Sequence, residues 1–132
     1  MYTETYTPKL VFNKTKFIQP TFESKVNGIN HCEAIRFNEC EFINFTFIEL
    51  NFLNVVFYKC NFVNGYFDVC NFTNCLFDSC NFKNNMFTKS ILCYAGVTEF
   101  SNCTFKNDTF KHCLLSQQKV FVYTTIFRRK FI

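Results

Sequence analysis

The sequence predicts an all-β solenoid, a chain of short strands and corners wound into coils that pair in parallel. The first observation behind this is a five-residue grid of phenylalanine. Phe12, Phe17 and Phe22 open it, Phe37 to Phe87 continue it at every fifth position, and Phe100, Phe105 and Phe110 resume it in a shifted frame. Together these are 17 of the 21 phenylalanines. The second is an apolar or small residue two places before most of them: Leu10, Ile35, Cys40, Phe45, Leu50, Val55, Cys60, Gly65, Cys70, Cys75 and Cys80. Residues i and i−2 share a face of a strand, while the residues around them are mostly polar. The third is a ten-residue rhythm of asparagine (Asn44, Asn54, Asn64, Asn74, Asn84, with Asn51, Asn61, Asn71 and Asn81), a residue that tolerates turn geometry. Neither a helix, repeating at about 3.6, nor an unbroken strand, repeating at about 2, asks for a period of five.

Leu10 to Phe22 reads as the first strands. Glu23–Ala34 replaces two phenylalanine slots with Asn27 and Cys32 and contains the turn signal Asn27-Gly28, so a protruding loop or degenerate half-coil is expected there. Regular strand-and-corner units follow from Ile35 to Phe87. Leu92 and Val97 hold the first frame and Phe100 begins the next after a three-residue step, which predicts an irregular corner within 95–99. Two kinds of corner would suit an asparagine that recurs in alternate units, and stacked asparagine amides could bond along the solenoid axis. Repeats run over about 10–115. From Gln117 to Ile132 the grid is lost; Val120, Tyr123, Phe127 and Phe131 fit a helical stripe as well as a strand. An open solenoid end needs cover, so 117–132 is expected to be a C-terminal cap, with a homodimer contact as the alternative.

At 132 residues the chain makes one domain, 1–132. An apolar content of 48% supports a core, and only 3 Gly and 2 Pro are present. Net charge is +4, and residues 59–132 hold nine of the 14 Lys and Arg. No apolar run reaches transmembrane length and Met1 to Leu10 carries no signal-peptide pattern, so a cytosolic protein is expected.

With the grid and its i−2 partner established, the sequence over about Leu10–Leu115 resembles the pentapeptide-repeat family. The resemblance implies a right-handed, four-sided (quadrilateral) parallel β-helix, with one pentad per side, twenty residues per coil, and i and i−2 filling the interior. Most of that family favours Leu at the centre and Ala at i−2. This chain is a phenylalanine- and cysteine-rich variant, similar in core motif to the lumenal domain of synaptic vesicle glycoprotein 2. The shared motif stands here as Phe72-Thr73-Asn74-Cys75-Leu76-Phe77 and Phe100-Ser101-Asn102-Cys103-Thr104-Phe105.

Nine cysteines raise the question of metal or disulfides. Their separations of 5, 10 and 20 are those of the repeat, whereas zinc sites pair cysteines two to four apart. On the implied coil Cys40, Cys60 and Cys80 stack in one column at a spacing of about 4.8 Å, too wide for a disulfide. Free thiols acting as small core residues are expected, together with Cys103 and Cys113 in the later frame. His31-Cys32 and His112-Cys113 lack an orienting partner and read as loop histidines. Asp68 and Asp78 fall on different sides of the coil and make no catalytic pair. No phosphate loop is present. The chain is therefore read as non-enzymatic, without cofactor or metal. Sequons stand at Asn13, Asn44, Asn71, Asn102 and Asn107. The candidate partner contacts are the basic residues Lys83, Lys89, Lys106, Lys111, Arg128, Arg129 and Lys130. Direct nucleic-acid binding is not expected, because the gridded aromatics are committed to the core.

The function expected from the residues is a protein–protein interaction module on a rigid rod. The resemblance implies two others. One is inhibition or modulation of a nucleic-acid enzyme, a topoisomerase or nuclease, which in the family goes with an acidic rod; this chain is basic. The other is a lumenal or extracellular receptor-type binding domain.

Overall fold

The computed structural model describes residues 7–20, 25–26, 29–90, 98–113, 121–127 and 130–131, with the backbone alone at 25–26, 29–30, 121–122, 126–127 and 130–131. Side chains alternate in and out along three-residue strands, so each strand offers one ring to the interior and two residues to solvent. The result is four sheets that the chain visits in turn. The first side stacks Leu10–Asn13, Ile35–Asn38, Val56–Tyr58, Leu76–Asp78, Glu99–Ser101 and Phe121–Val122. The second stacks Lys16–Ile18, Glu41–Ile43, Asn61–Val63, Asn81–Lys83, Thr104–Lys106 and Thr125–Phe127. Thr46–Ile48, Tyr66–Asp68, Met86–Thr88, Thr109–Lys111 and Lys130–Phe131 form the third, and Ile29–Glu33, Leu50–Leu53 and Asn71–Thr73 the fourth. All of these pairs are parallel.

The register measures each coil. Phe37 faces Phe57 and Phe57 faces Phe77, a step of 20. The first step, Phe12 to Phe37, is 25. Its additional residues fall in an antiparallel hairpin, Lys25–Val26 against Ile29–Asn30, after which Cys32 takes the ring position opposite Phe52. The expected loop is thus a hairpin that continues into the fourth side, and its turn at Asn27-Gly28 lies outside the described residues. The step from Phe77 to Phe100 is 23. The irregular corner expected at 95–99 lies mostly outside the described residues, although Thr98 and Glu99 already stand in the next coil.

Within 117–132 the described strands continue the ladder. Phe121 faces Phe100, Ile126 faces Phe105 and Phe131 faces Phe110, so the described part of this segment is a further coil with three sides, in strand conformation. The grid resumes at 121, 126 and 131; isoleucine in the middle slot conceals it.

Among the described residues the corners are of one kind, not two. Eighteen non-glycine residues, each two places after a ring position, have φ between 46° and 58°. Seven of them are asparagine, the residue that enters this left-handed region most readily after glycine. Asparagine amides bond from coil to coil as anticipated, Asn71 to Asn51 at 2.9 Å and Asn74 to Asn54 at 2.7 Å.

Ring columns fill the interior. On the first side Phe37, Phe57, Phe77 and Phe100 stack with centroid spacings of 5.0, 4.6 and 4.4 Å, and their planes lie within 10° of parallel. The second side repeats this from Phe42 to Phe105. The spacing is set by the strands, which lie about 4.8 Å apart. Each buried ring contributes about 1.5–3 kcal/mol. Phe12 and Phe17, in the first coil, are half-buried, and Leu10 is 48% exposed rather than interior, because no described coil lies beneath it.

Candidate functional site

The interior consumes the groups that sequence alone offers for chemistry. A residue in the i−2 slot sits above its counterpart in the previous coil, and several polar ones donate to the carbonyl of the phenylalanine three places before that counterpart. Cys80 Sγ donates to Phe57 O at 3.2 Å, Cys103 Sγ to Phe77 O at 3.1 Å and Cys70 Sγ to Phe47 O at 3.2 Å. Thr98 Oγ1 bonds Phe72 O at 3.1 Å, and Thr124 Oγ1 bonds Phe100 O at 2.9 Å. Asn85 Nδ2 bonds Phe62 O at 2.9 Å. Cysteine therefore does more than fill space, as expected from sequence; it supplies a donor across the coils. The eight described cysteines are all free. Burial pushes the thiols of Cys32, Cys70 and Cys75 up to about 12, so they stay neutral and poorly nucleophilic.

His31 lies in a strand of the fourth side, not in a loop, while His112 occupies an exposed corner with φ 53°. Asp68 and Asp78 stand on the third and first sides. Among the described residues no group of three His, Cys, Asp or Glu could hold a metal ion, and no helix is long and apolar enough to cross a membrane. A shallow cavity of about 260 Å³ lies on the fourth side, lined by His31, Asn51, Phe52, Leu53, Asn71 and Thr73. Its one ionisable side chain is that of His31.

The outward residues of the third side combine exposed apolar groups with bonded polar ones. Ile48 is 50% exposed, and Met86 and the corner residue Val69 39% each. Between them Thr88 Oγ1 lies 2.7 Å from Asp68 Oδ1 and 3.1 Å from Tyr66 Oη. These bonds hold three outward side chains in fixed positions. The candidate lysines flank this side. Lys83 and Lys106 are register neighbours at the adjoining edge of the second side. Lys89 occupies the corner that follows the third side, and its N–H donates to Lys111 O at 3.0 Å. All four are exposed. The structure thus divides them into two pairs, one at each margin of the third side. The strand at Lys130 extends that same side, facing Thr109, whereas Arg128 and Arg129 lie outside the described residues. Sequence reasoning did not single out Ile48, Val69 and Met86, because the outward positions of this side obey no repeat. The sequon residues Asn44, Asn102 and Asn107 stand at exposed corners, and Asn71 is half-buried against Asn51.

No protein-family model matches the sequence, and no curated protein matches it. Among solved structures, two trypsin-treated variants of QnrB1, a plasmid-mediated fluoroquinolone resistance protein, align over 89% of this chain and 90% and 89% of theirs, at 10% and 11% identity. Their TM-scores are 0.20 and 0.21, too low to support any argument about fold or function. The β-solenoid rests on the strand register alone.

Proposed function

We propose that this chain is a pentapeptide-repeat protein that works as a non-enzymatic interaction module, docking another protein on its third side. The observation that carries the reading is the contrast between interior and surface. Rings and most of the described thiols are committed to the core, while one side presents fixed polar groups, Ile48, Val69 and Met86, and lysines at both margins. Interfaces combine an apolar centre with a polar rim, and rim charges steer encounter. A partner with apolar anchors and acidic flanks complements this surface.

The test is capture of partners from native lysate with the full chain, with Met86→Glu combined with Lys106→Glu, and with Leu76→Lys on the first side as a control. A protein retained by the native chain and the control but lost by the third-side variant supports the assignment. Equal recovery by all three removes it. A topoisomerase or nuclease recovered in the first pattern would make the chain a modulator of a nucleic-acid enzyme acting through this side.

A further inference from the structure

Asp108 occupies the slot before Phe110 and is fully buried, at 0% exposure. Its Oδ1 accepts the Asn85 main-chain N–H at 2.8 Å and the Asn85 side-chain amide at 3.0 Å. Its Oδ2 is buried without a hydrogen-bond partner. Such an orphaned oxygen is costly for a charged group and calls for a physical reason.

The slot supplies one. Cys80, Cys103, Thr98, Thr124 and Asn85 each use their slot to donate a hydrogen to a phenylalanine carbonyl in the coil below. Thr109 faces Met86, so the counterpart of Asp108 is Asn85, and the carbonyl three places before it is that of Phe82. Asn85, one coil down, shows the complete pattern: its Oδ1 accepts the Gly65 N–H at 2.8 Å and its Nδ2 donates to Phe62 O. Asp108 reproduces the accepting half. A carboxylate has nothing to give in the other half, whereas a carboxylic acid does.

We propose that Asp108 is a proton-binding site, held as the neutral acid in the folded chain with its proton on Oδ2 directed at the Phe82 carbonyl, and that release of this proton to solvent loosens the coils on either side. Burial acts in the same direction, raising the carboxyl from 3.8 to about 6 against the opposing pull of its bonds to Asn85 and the Lys106 main chain. The charged groups on the described strands packed around it, Lys83, Lys106 and Lys111, are exposed and point outward; Asp68, further down the third side, is half-buried. Arg128, Arg129 and the side chain of Lys130 lie outside the description.

The sign follows from linkage. A folded-state value above the ordinary one favours folding below pH 3.8, and that contribution is lost as pH rises through about 6. Asp108→Asn keeps the acceptor and supplies a permanent donor, as Asn85 does. Urea unfolding of the full chain and of Asp108→Asn between pH 4 and pH 8 tests the proposal. The folded-to-unfolded ratio of the native chain is expected to fall relative to the variant by the order of a hundredfold across that range. Infrared difference spectra between the two should show a protonated carboxyl at pH 5. Parallel pH profiles, a carboxylate band at pH 5, or a native chain that gains on the variant as pH rises would each overturn it. The last result would mean an anion paired with a cation. Should Asp108→Asn fail to fold, Asp108→Thr, using the residue found in this slot at Thr98 and Thr124, takes its place in the same comparison.

Discussion

At the scale of single residues, the Phe45 and Gly65 pair shows how tightly this interior is filled. Phe45 puts a ring in the slot that Gly65 and Asn85 occupy in the next two coils, and it lies 4.7 Å from the Phe47 ring with planes tilted by 32°. Room for it comes from Gly65, directly above; a Cβ added at Gly65 would overlap the Phe45 ring. Phe47 and Phe67 consequently meet edge to face at 72°, while Phe67 and Phe87, one coil on, are parallel within 3°. Gly65→Ala should therefore lower unfolding stability by about 1–3 kcal/mol, the usual cost of overpacking. Phe45→Leu should soften that penalty by making the space the methyl needs. A double-mutant cycle by chemical denaturation measures the coupling. Additive effects would mean the two sites do not share that space.

At the scale of the repeating element, the i−2 slot is a hydrogen-bonding position as well as a packing one. Cys80 to Ser keeps a donor for the Phe57 carbonyl, whereas Cys80 to Ala removes it and leaves a small void. The alanine variant is expected to lose about 1–2 kcal/mol and the serine variant less than that, read from denaturant midpoints. If the thiol were filler alone, serine would be the worse of the two. The element was legible in part. Phenylalanine at every fifth position and its i−2 companion announced strand, corner and coil, because burial of a ring is strong enough to impose its spacing on the sequence. The donor role of the slot was hidden. Cysteine is both small and a donor, and its acceptor belongs to a coil more than twenty residues away, which only the register identifies. The same holds for Asn85, Thr98 and Asp108, polar residues that look like breaks in an apolar pattern until their bonds across the coils are seen. The corner conformation was foreshadowed by asparagine, yet Glu39, Lys59 and Val69 take it too. The surrounding ladder imposes what their own preference would not.

At the scale of the whole molecule, the steps of 25, 20, 20, 23 and 21 residues along the first side describe one solenoid whose irregularities are absorbed between coils. Each coil touches only its neighbours, so stability is the sum of coil and interface contributions and the ends are its weakest parts. The third side could not be read from the sequence because its outward positions follow no period. Its exposed Ile48 and Met86 emerge only once the register places them side by side with Asp68 and Thr88. The ladder within 117–132 was hidden in the sequence, since Ile126 interrupts the ring series and a step of 21 shifts its frame.

Continuity from the first coil to the last is tested most directly by native-state hydrogen exchange at amides that bond only between coils. Asn61 N–H donates to Cys40 O, Asn81 N–H to Cys60 O, Thr104 N–H to Cys80 O and Thr125 N–H to Cys103 O, at 2.9–3.0 Å. A single solenoid requires all four to be protected, with Thr125 opening most readily as the terminal rung. Exchange of the Thr125 amide at the rate of an unfolded chain, with the other three protected, would contradict a last coil built into the rod.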